Sequence, residues 1–369
     1  MIVARVIAKL EPGGAQLGAF WLSAALRRHG IESRLIAGTA SAAGLELARE
    51  HGLEAEAFAG MDGGVDLQWT PSEAFAAWLA PRVEAADLVH AHMFGAWWAA
   101  SRAARPETPL AASEHNAFCW PGPPRHREAR AALRRVDRFF AHGPAAEAYV
   151  RALGCPPERL ERGRSTFTGA GSRPLPGLPS LRIVFAGRLA PDKGPDVLVE
   201  ALARMPDAPP AFLLGEGRMR RELERRVRET GLGDRVHLCG WQSEPGRWVA
   251  GASAFAAPSR DEAWSQSVAM AMALGVPVVG SAVNGLREVL EHDRGILVPP
   301  DDPEALAAAL ADVLGGRRRP DLAAARDYAM QFTPARLGRL YAERYRELVA
   351  ARARCTTFVR VTSSSSSGP

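Results

Sequence analysis

Lysine is nearly absent from this chain. Of 46 basic residues among 369, only Lys9 and Lys193 are lysine and the other 44 are arginine. Such a bias suits a GC-rich coding sequence, and it makes a lysine kept inside a loop informative. Cysteine is sparse as well. Cys119, Cys155, Cys239 and Cys355 are widely spaced with no CxxC pair, which excludes a disulfide framework and points to reduced thiols in a cytosol. No apolar run approaches the roughly 20 residues of a membrane span. The opening MIVARVIAKLEPGG lacks the long apolar core and small-residue cleavage site of a signal peptide and reads as a first strand. The net charge of +5 is modest for the length, and the arginines are scattered and rarely interleaved with aromatics. That argues against a nucleic-acid partner and leaves an anionic ligand or a membrane surface.

What is present is a rhythm of short aliphatic runs and longer alanine- and arginine-rich stretches, the pattern of parallel α/β units. The first half offers strands at Ile2–Ala8, Ser33–Ala37, Leu88–His90, Leu110–Ser113 and Arg138–Ala141. The second half restarts at Arg182–Ala186 and continues with Ala211–Leu214, Val236–Cys239, Ala254–Ala257, Pro277–Val279 and Ile296–Val298. Between them Gly169–Ser180, GAGSRPLPGLPS, reads as an interdomain linker. The expected organisation is two Rossmann-like domains, 1–172 and 181–330, with the linker proper at 173–180. Two doubly wound sheets so joined bind ligands at the carboxyl ends of their strands, across a cleft. The segment 331–352 carries Leu337, Leu340, Tyr341, Tyr345 and Leu348 at helical spacing and needs a partner surface. The serine-ended tail 353–369 is expected to be disordered.

Ile183–Gly194, IVFAGRLAPDKG, ends a strand in a Gly-Arg turn and places Lys193 five residues after Arg188. Two cations there suit a diphosphate; the plainer reading is a solvated loop. Pro12-Gly13-Gly14-Ala15-Gln16 opens a helix whose amides, with Gly14 admitting close approach, can face a phosphate. It is equally a simple tight turn. Leu214-Gly215-Glu216-Gly217 makes another such turn at the next strand end. In Pro258–Gly275, Glu262 follows a strand, Ser265 can cap the next helix, and the amides around Trp264, Ser265, Gln266 and Ser267 can meet sugar hydroxyls or phosphate. Asp87–Gly95 sets His90 and His92 on one strand face. No third ligand stands at metal spacing, so packing or cleft-lining is the better reading and no metal is expected. Ser113-Glu114-His115-Asn116 ends a strand where His115 can meet a substrate hydroxyl. The basic run 123–138 reads as a solvated helix face, with peripheral membrane contact as the sharper alternative.

Taken in order, GGAQ, DLVHAH, SEHN, GRLAPDKGPDVLVEAL, LLGEG, PSRDEAW…AMALGVPVV and NGLREVLEHDRGILVPP make the chain resemble a family 4 glycosyltransferase of GT-B architecture over residues 1–352. The resemblance implies a nucleotide-diphosphate sugar, a UDP-sugar foremost, held by the second domain. It implies an acceptor on the first domain, retention at the anomeric carbon, no metal or other cofactor, and a final helix that crosses back to the first domain. Residue by residue, Arg188 and Lys193 match the diphosphate-binding pair, and Gly14 the glycine near the donor phosphate. His115 matches the histidine near the reacting centre, and Glu262 the first glutamate of the family's signature. The second glutamate of that signature, on the ribose hydroxyls, falls at Met270 here, and the usual Gly-Phe-Gly is Ala263-Trp264-Ser265.

The expected protein is therefore a cytoplasmic glycosyltransferase acting on a small hydroxylated acceptor, with His115, Arg188, Lys193 and Glu262 at the reaction. Glu11, His92, Glu114, His115 and Asn116 would line the acceptor side. Glu11 and Glu114 suit the ammonium groups of an aminoglycoside-like natural product. The alternatives are a lipid- or polysaccharide-directed transferase, a non-catalytic nucleotide-sugar-binding helper, and a nucleotide-sugar 2-epimerase.

Overall fold

The computed structural model describes residues 1–60, 66–115 and 123–364, apart from the side chains of 123–125 and 355–364. The chain forms two compact units. Met1–Thr166 and the segment from Pro334 onward make the first; Phe167–Thr333 makes the second.

The first unit is built on β1 (Ile2–Leu10), β2 (Glu32–Ala40), β3 (Ala55–Gly60), β4 (Leu88–His92), β5 (Leu110–Glu114), β6 (Arg138–Ala141) and β7 (Leu160–Arg162). All pair in parallel, in the order β3-β2-β1-β4-β5-β6-β7. The second unit repeats the plan with β8 (Ile183–Ala186), β9 (Ala211–Leu214), β10 (Val236–Gly240), β11 (Ala254–Ala257), β12 (Val278–Ser281) and β13 (Ile296–Val298). Their order is β10-β9-β8-β11-β12-β13, again parallel. In each sheet the winding reverses beside the first strand, at β1/β4 and β8/β11, which is where doubly wound sheets bind ligands.

Parallel strands are covered on both faces, so they read as nearly continuous apolar runs. Ala4, Val6 and Ala8 of β1 turn to one core with Val89, Ala91 and the helices Glu73–Val83 and Phe94–Ala103. In the second unit Ile183, Phe185, Leu213 and Ala254 pack against Leu198, Leu202, Leu306 and Leu310. The other face of the first sheet differs. Arg5 lies opposite His90, and His92 lies opposite Ser113, so alternation along the strands places polar rings on this face beside Ile7, Leu35 and Ala37, which pack with Phe20 of the helix Gly14–Arg27.

The helix Pro334–Ser364 lies over the polar part of that face, where Tyr345 meets Arg5 and His90, and belongs to the first unit. Leu337, Tyr341, Tyr345 and Leu348 are buried, at the spacing of one helical stripe. Gly338 lets it approach the helix Gly14–Arg27: a Cβ there would stand 2.7 Å from Ala25 Cβ. Arg344 Nε donates to both carboxylate oxygens of Glu161 at 3.1 Å.

Three features depart from the expectation. Residues 167–172 sit with the second unit, where a Cβ on Gly169 would lie 3.3 Å from Met270 Sδ and 3.5 Å from Gly246. The last helix continues to Ser364 instead of giving way to a tail at 353. Once nucleated, a helix gains one hydrogen bond for each residue added. The edge strands β3 and β7 were not expected, because their pairing comes from β2 and β6 more than from their own residues. No helix among the described residues is long and apolar enough to cross a membrane.

Tyr345→Phe should lower the unfolding free energy in urea by about 1–3 kcal/mol, because its hydroxyl is the buried partner of both Arg5 and His90. Unchanged stability would show that the hydroxyl does not hold the helix to the sheet.

Candidate functional site

At the carboxyl end of β8 the chain turns through Gly187 and Arg188 into a short 3-10 turn, Pro191–Lys193. Arg188 Nη2 donates to Asp192 Oδ2 at 2.9 Å, and Lys193 Nζ lies 3.8 Å from the same oxygen. Lys193 Nζ also donates to Glu262 Oε2 at 2.8 Å. One carboxylate thus gathers both cations, and a second pairs with the lysine. The loops are held to this arrangement by the backbone: the amides of Arg260 and Asp261 donate to the Asp192 carbonyl at 2.9 and 3.2 Å. Arg260 clamps the base, reaching both oxygens of Asp196 at 2.9 and 2.8 Å. Burial pushes the Asp196 carboxyl up, but the Arg260 hydrogen bonds and charge outweigh it and hold the group below its ordinary range.

Two glycines are required here. Gly215 has φ +138°, and a Cβ on it would stand 2.0 Å from the Gly187 carbonyl oxygen. Gly194 has φ +62°, with the Pro258 carbonyl oxygen 2.0 Å from where its Cβ would be. Any side chain at either would force the ends of neighbouring strands apart.

Glu262 leads into the helix Gln266–Ala273, which Ser265 caps by accepting from the Val268 amide at 3.4 Å. Ser267 Oγ lies 3.3 Å from Ser265 Oγ, and Trp264 packs edge-on against Phe332 at 4.6 Å between ring centroids. The Glu262 carbonyl accepts from the Gly285 amide at 2.8 Å, fixing the loop from the far side. Met270 is buried on this helix, its sulfur turned to Gly169.

The first unit gathers four histidines at the carboxyl ends of β4, β5 and β6. His92 Nδ1 is 3.0 Å from His115 Nε2, and His92 Nε2 is 2.9 Å from Arg5 Nη1. His90 bridges Tyr345 Oη at 2.6 Å and Ser113 Oγ at 2.8 Å. His142 lies against His115 with ring centroids 3.9 Å apart, and its Nδ1 is 3.4 Å from Ser165 Oγ. Burial pushes His115 down to about 4, with the Arg5 charge adding to it. Burial likewise holds His90, His92 and His142 well below the ordinary histidine value, ahead of neighbouring positive charge. All four are therefore neutral at pH 7.

The acceptor-side expectations fare unevenly. His92 spends both ring nitrogens on protein partners, so it supports His115 instead of lining a surface. Glu114 is 2 % exposed and accepts from the His115 amide at 3.1 Å, a position too deep to greet an ammonium group. Glu11 is half-exposed and pairs with Lys9 at 3.1 Å. Gly14 opens the first helix, which has no side-chain cap. Asn116 lies outside the described residues. The basic run forms the helix Pro123–Leu133, whose Ala129, Ala132 and Leu133 are spent on the core while Arg127, Arg130 and Arg134 face solvent. Among the described residues no three His, Cys, Asp or Glu side chains are placed to hold a metal ion. Arg5 and His142 were not singled out, and Tyr345 was read only as part of the last helix's apolar stripe. A lone arginine inside the apolar run IVARVIA was the available signal, since a charge there must be buried and partnered.

The family model "Glycosyltransferase Family 4" matches residues 12–162, and "Glycosyl transferases group 1" matches 180–315. The chain belongs to glycosyltransferase family 4. Curated relatives of this family 4 chain include the D-inositol 3-phosphate glycosyltransferase of Xylanimonas cellulosilytica, 40% identical over 42% of this chain and 40% of the relative. The enzyme of the same name from Thermomonospora curvata is 35% identical over 52% of each. The putative colanic acid glycosyltransferase of Salmonella typhimurium is 30% identical over 49% of this chain and 48% of its own. The matches thus span about half, or less, of these relatives' lengths. Among solved structures, Anabaena HepE in complex with UDP superposes with a TM-score of 0.77 at 21% identity, covering 94% of this chain and all of HepE. Sucrose-phosphate synthase from Thermosynechococcus elongatus gives 0.76 at 21%, covering 95% and 100%. The family 4 chain therefore has the GT-B fold.

Two outcomes follow for it. Between about pH 6.5 and 4 the unfolded chain binds histidine protons that the folded chain refuses. Stability should therefore fall on acidification, by up to about 1.4 kcal/mol per pH unit for each buried histidine. Urea midpoints that stay level from about pH 7 to pH 5 would contradict the neutral cluster. Met270→Glu should cost at least about 2 kcal/mol, since it puts a carboxyl into an apolar contact. Full stability together with tighter UDP binding would instead restore a ribose-binding carboxylate at this position.

Proposed function

We propose that this chain is a retaining glycosyltransferase that moves a sugar from a nucleotide-diphosphate donor, UDP foremost, to a hydroxyl of a small acceptor. The observation that carries this reading is the convergence of Arg188 and Lys193 on a single oxygen of Asp192, with Glu262 against the lysine. A site that gathers two cations on one oxyanion is suited to a diphosphate, whose oxygens carry the charge that grows as the sugar leaves. Support for UDP comes from HepE, solved with that nucleotide. Support for a small polyol acceptor comes from the relatives named for D-inositol 3-phosphate.

In this reading the donor diphosphate displaces Asp192 from the two cations. Glu262 stays at the lysine and accepts from hydroxyls of the sugar. The leaving phosphate oxygen takes the acceptor's proton on the face it departs from, so the configuration at the anomeric carbon is kept. No side chain is assigned as a covalent nucleophile, and the two fixed cations supply the charge neutralisation that a divalent metal gives in other transferases. Relatives named for colanic acid and lipopolysaccharide core synthesis favour a second acceptor class, a lipid-linked or polymeric saccharide.

Lys193→Ala should lower turnover about 10²–10³-fold while the circular dichroism spectrum is kept, since it removes a cation aimed at transition-state charge. The assay pairs UDP- and GDP-sugars with inositol phosphate and with a lipid-linked oligosaccharide. Near-normal turnover in the variant would remove this loop from the reaction. Product formed only on the lipid-linked acceptor would move the substrate class.

A further inference from the structure

His115 is the end of a hydrogen-bond chain whose direction is set at its other end. A guanidinium donates and accepts nothing. Arg5 Nη1 lies 2.9 Å from His92 Nε2, so that nitrogen is bare and accepts. A neutral His92 then carries its proton on Nδ1 and donates to His115 Nε2 at 3.0 Å. His115 Nε2 is in turn the bare nitrogen, and a neutral His115 keeps its proton on Nδ1. No described residue hydrogen-bonds His115 Nδ1. The second branch from Arg5 passes through hydroxyls and is not directed in the same way. Arg5 Nη2 donates to Tyr345 Oη at 3.3 Å, but that hydroxyl can donate to or accept from His90 Nδ1 at 2.6 Å, and Ser113 Oγ, 2.8 Å from His90 Nε2, takes the complementary role in either case. The first branch cannot run backwards while Arg5 is charged.

We propose that Arg5 and His92 are positioning residues that lock His115 as its Nδ1–H tautomer, so that His115 meets the transferred sugar as a hydrogen-bond donor and not as a base. The last clause rests on the reading that this chain is a transferase; the tautomer itself rests only on the donor-acceptor order. Orientation of a catalytic imidazole by a partner behind it is costly to lose, because the wrong tautomer puts a lone pair where a proton is needed. An Nδ1–H can donate to a hydroxyl oxygen of the sugar and fix its orientation, while the electron pair of the breaking anomeric bond goes to the leaving phosphate oxygen.

The test uses the full chain with ¹⁵N-labelled histidine and long-range ¹H–¹⁵N spectra, His115 being identified by the signals lost in His115→Gln. Wild type should show a protonated-type Nδ1 and a bare-type Nε2 for His115. His92→Leu should abolish the His115 bias. His92→Gln should keep it, since its amide can accept from Arg5 and donate to His115. In transfer assays His92→Leu should lower kcat about 10- to 100-fold with the donor KM within about twofold, and His92→Gln should recover most of the loss. An Nε2–H or doubly protonated His115 in the wild type overturns the relay, whether or not His92→Leu folds. Unchanged kcat in a folded His92→Leu overturns the positioning role. If wild type transfers no sugar from any nucleotide donor, the transferase reading fails, and the nitrogen pattern still decides the relay.

Discussion

Arg5 is fully buried in the middle of a parallel sheet, and among the described residues no carboxylate neutralises it. Removing a cation from water costs several kcal/mol even after relaxation, so its surroundings must return that energy as dipoles. They do so with an imidazole nitrogen and a phenol oxygen. This choice propagates. Groups within reach of an uncompensated positive charge cannot take on a second one, which is why Arg5 appears among the causes that depress His90, His92 and His115. Burial is the larger cause of the histidines' neutrality, and the guanidinium adds to it at His90, His92 and His115 while it ties the last helix to the sheet through Tyr345.

The second unit handles charge in the opposite way. Its cations are paired with carboxylates at the ends of strands, where water still reaches them: Lys193 with Glu262, Arg188 with Asp192, Arg260 with Asp196 and Asp301. Such pairs are individually worth little. Their value is geometric, since Arg260 and the backbone bonds to Asp192 bring two loops 69 residues apart into register. The first unit places neutral donors and acceptors with fixed direction; the second places exchangeable charge. In the proposed reaction the former orients the sugar and the latter receives the phosphate.

The doubly wound plan of both units was legible because buried parallel strands carry their own signal, runs of aliphatic residues punctuated by glycine. Strands such as Arg138–Ala141, Ala211–Leu214 and Ala254–Ala257 appear at the expected residues. Ala55–Gly60 and Leu160–Arg162 did not announce themselves, since an edge strand borrows its order from one neighbour. At the site, Lys193, Glu262 and His115 stood out by residue type and by position after a strand. That the first two pair with each other, and that His92 faces inward to hold His115, depends on distances no spacing encodes. Arg5 and Tyr345 are 340 positions apart, and nothing local to either names the other. Met270 was visible as a departure from the family's pattern; that it is buried, with its sulfur near Gly169, was not.

The seating of the last helix has a consequence for how the protein is made. The sheet of the first unit is complete once residue 166 has been synthesised, but the helix that lies over the polar part of one face begins at Pro334. At ordinary ribosomal speed the intervening unit takes roughly ten to thirty seconds to emerge, long compared with domain folding. During that interval Arg5 and His90 have no Tyr345, and the nascent sheet must keep its charged face wet. Until the helix arrives, His92 is the partner within the sheet that Arg5 can reach.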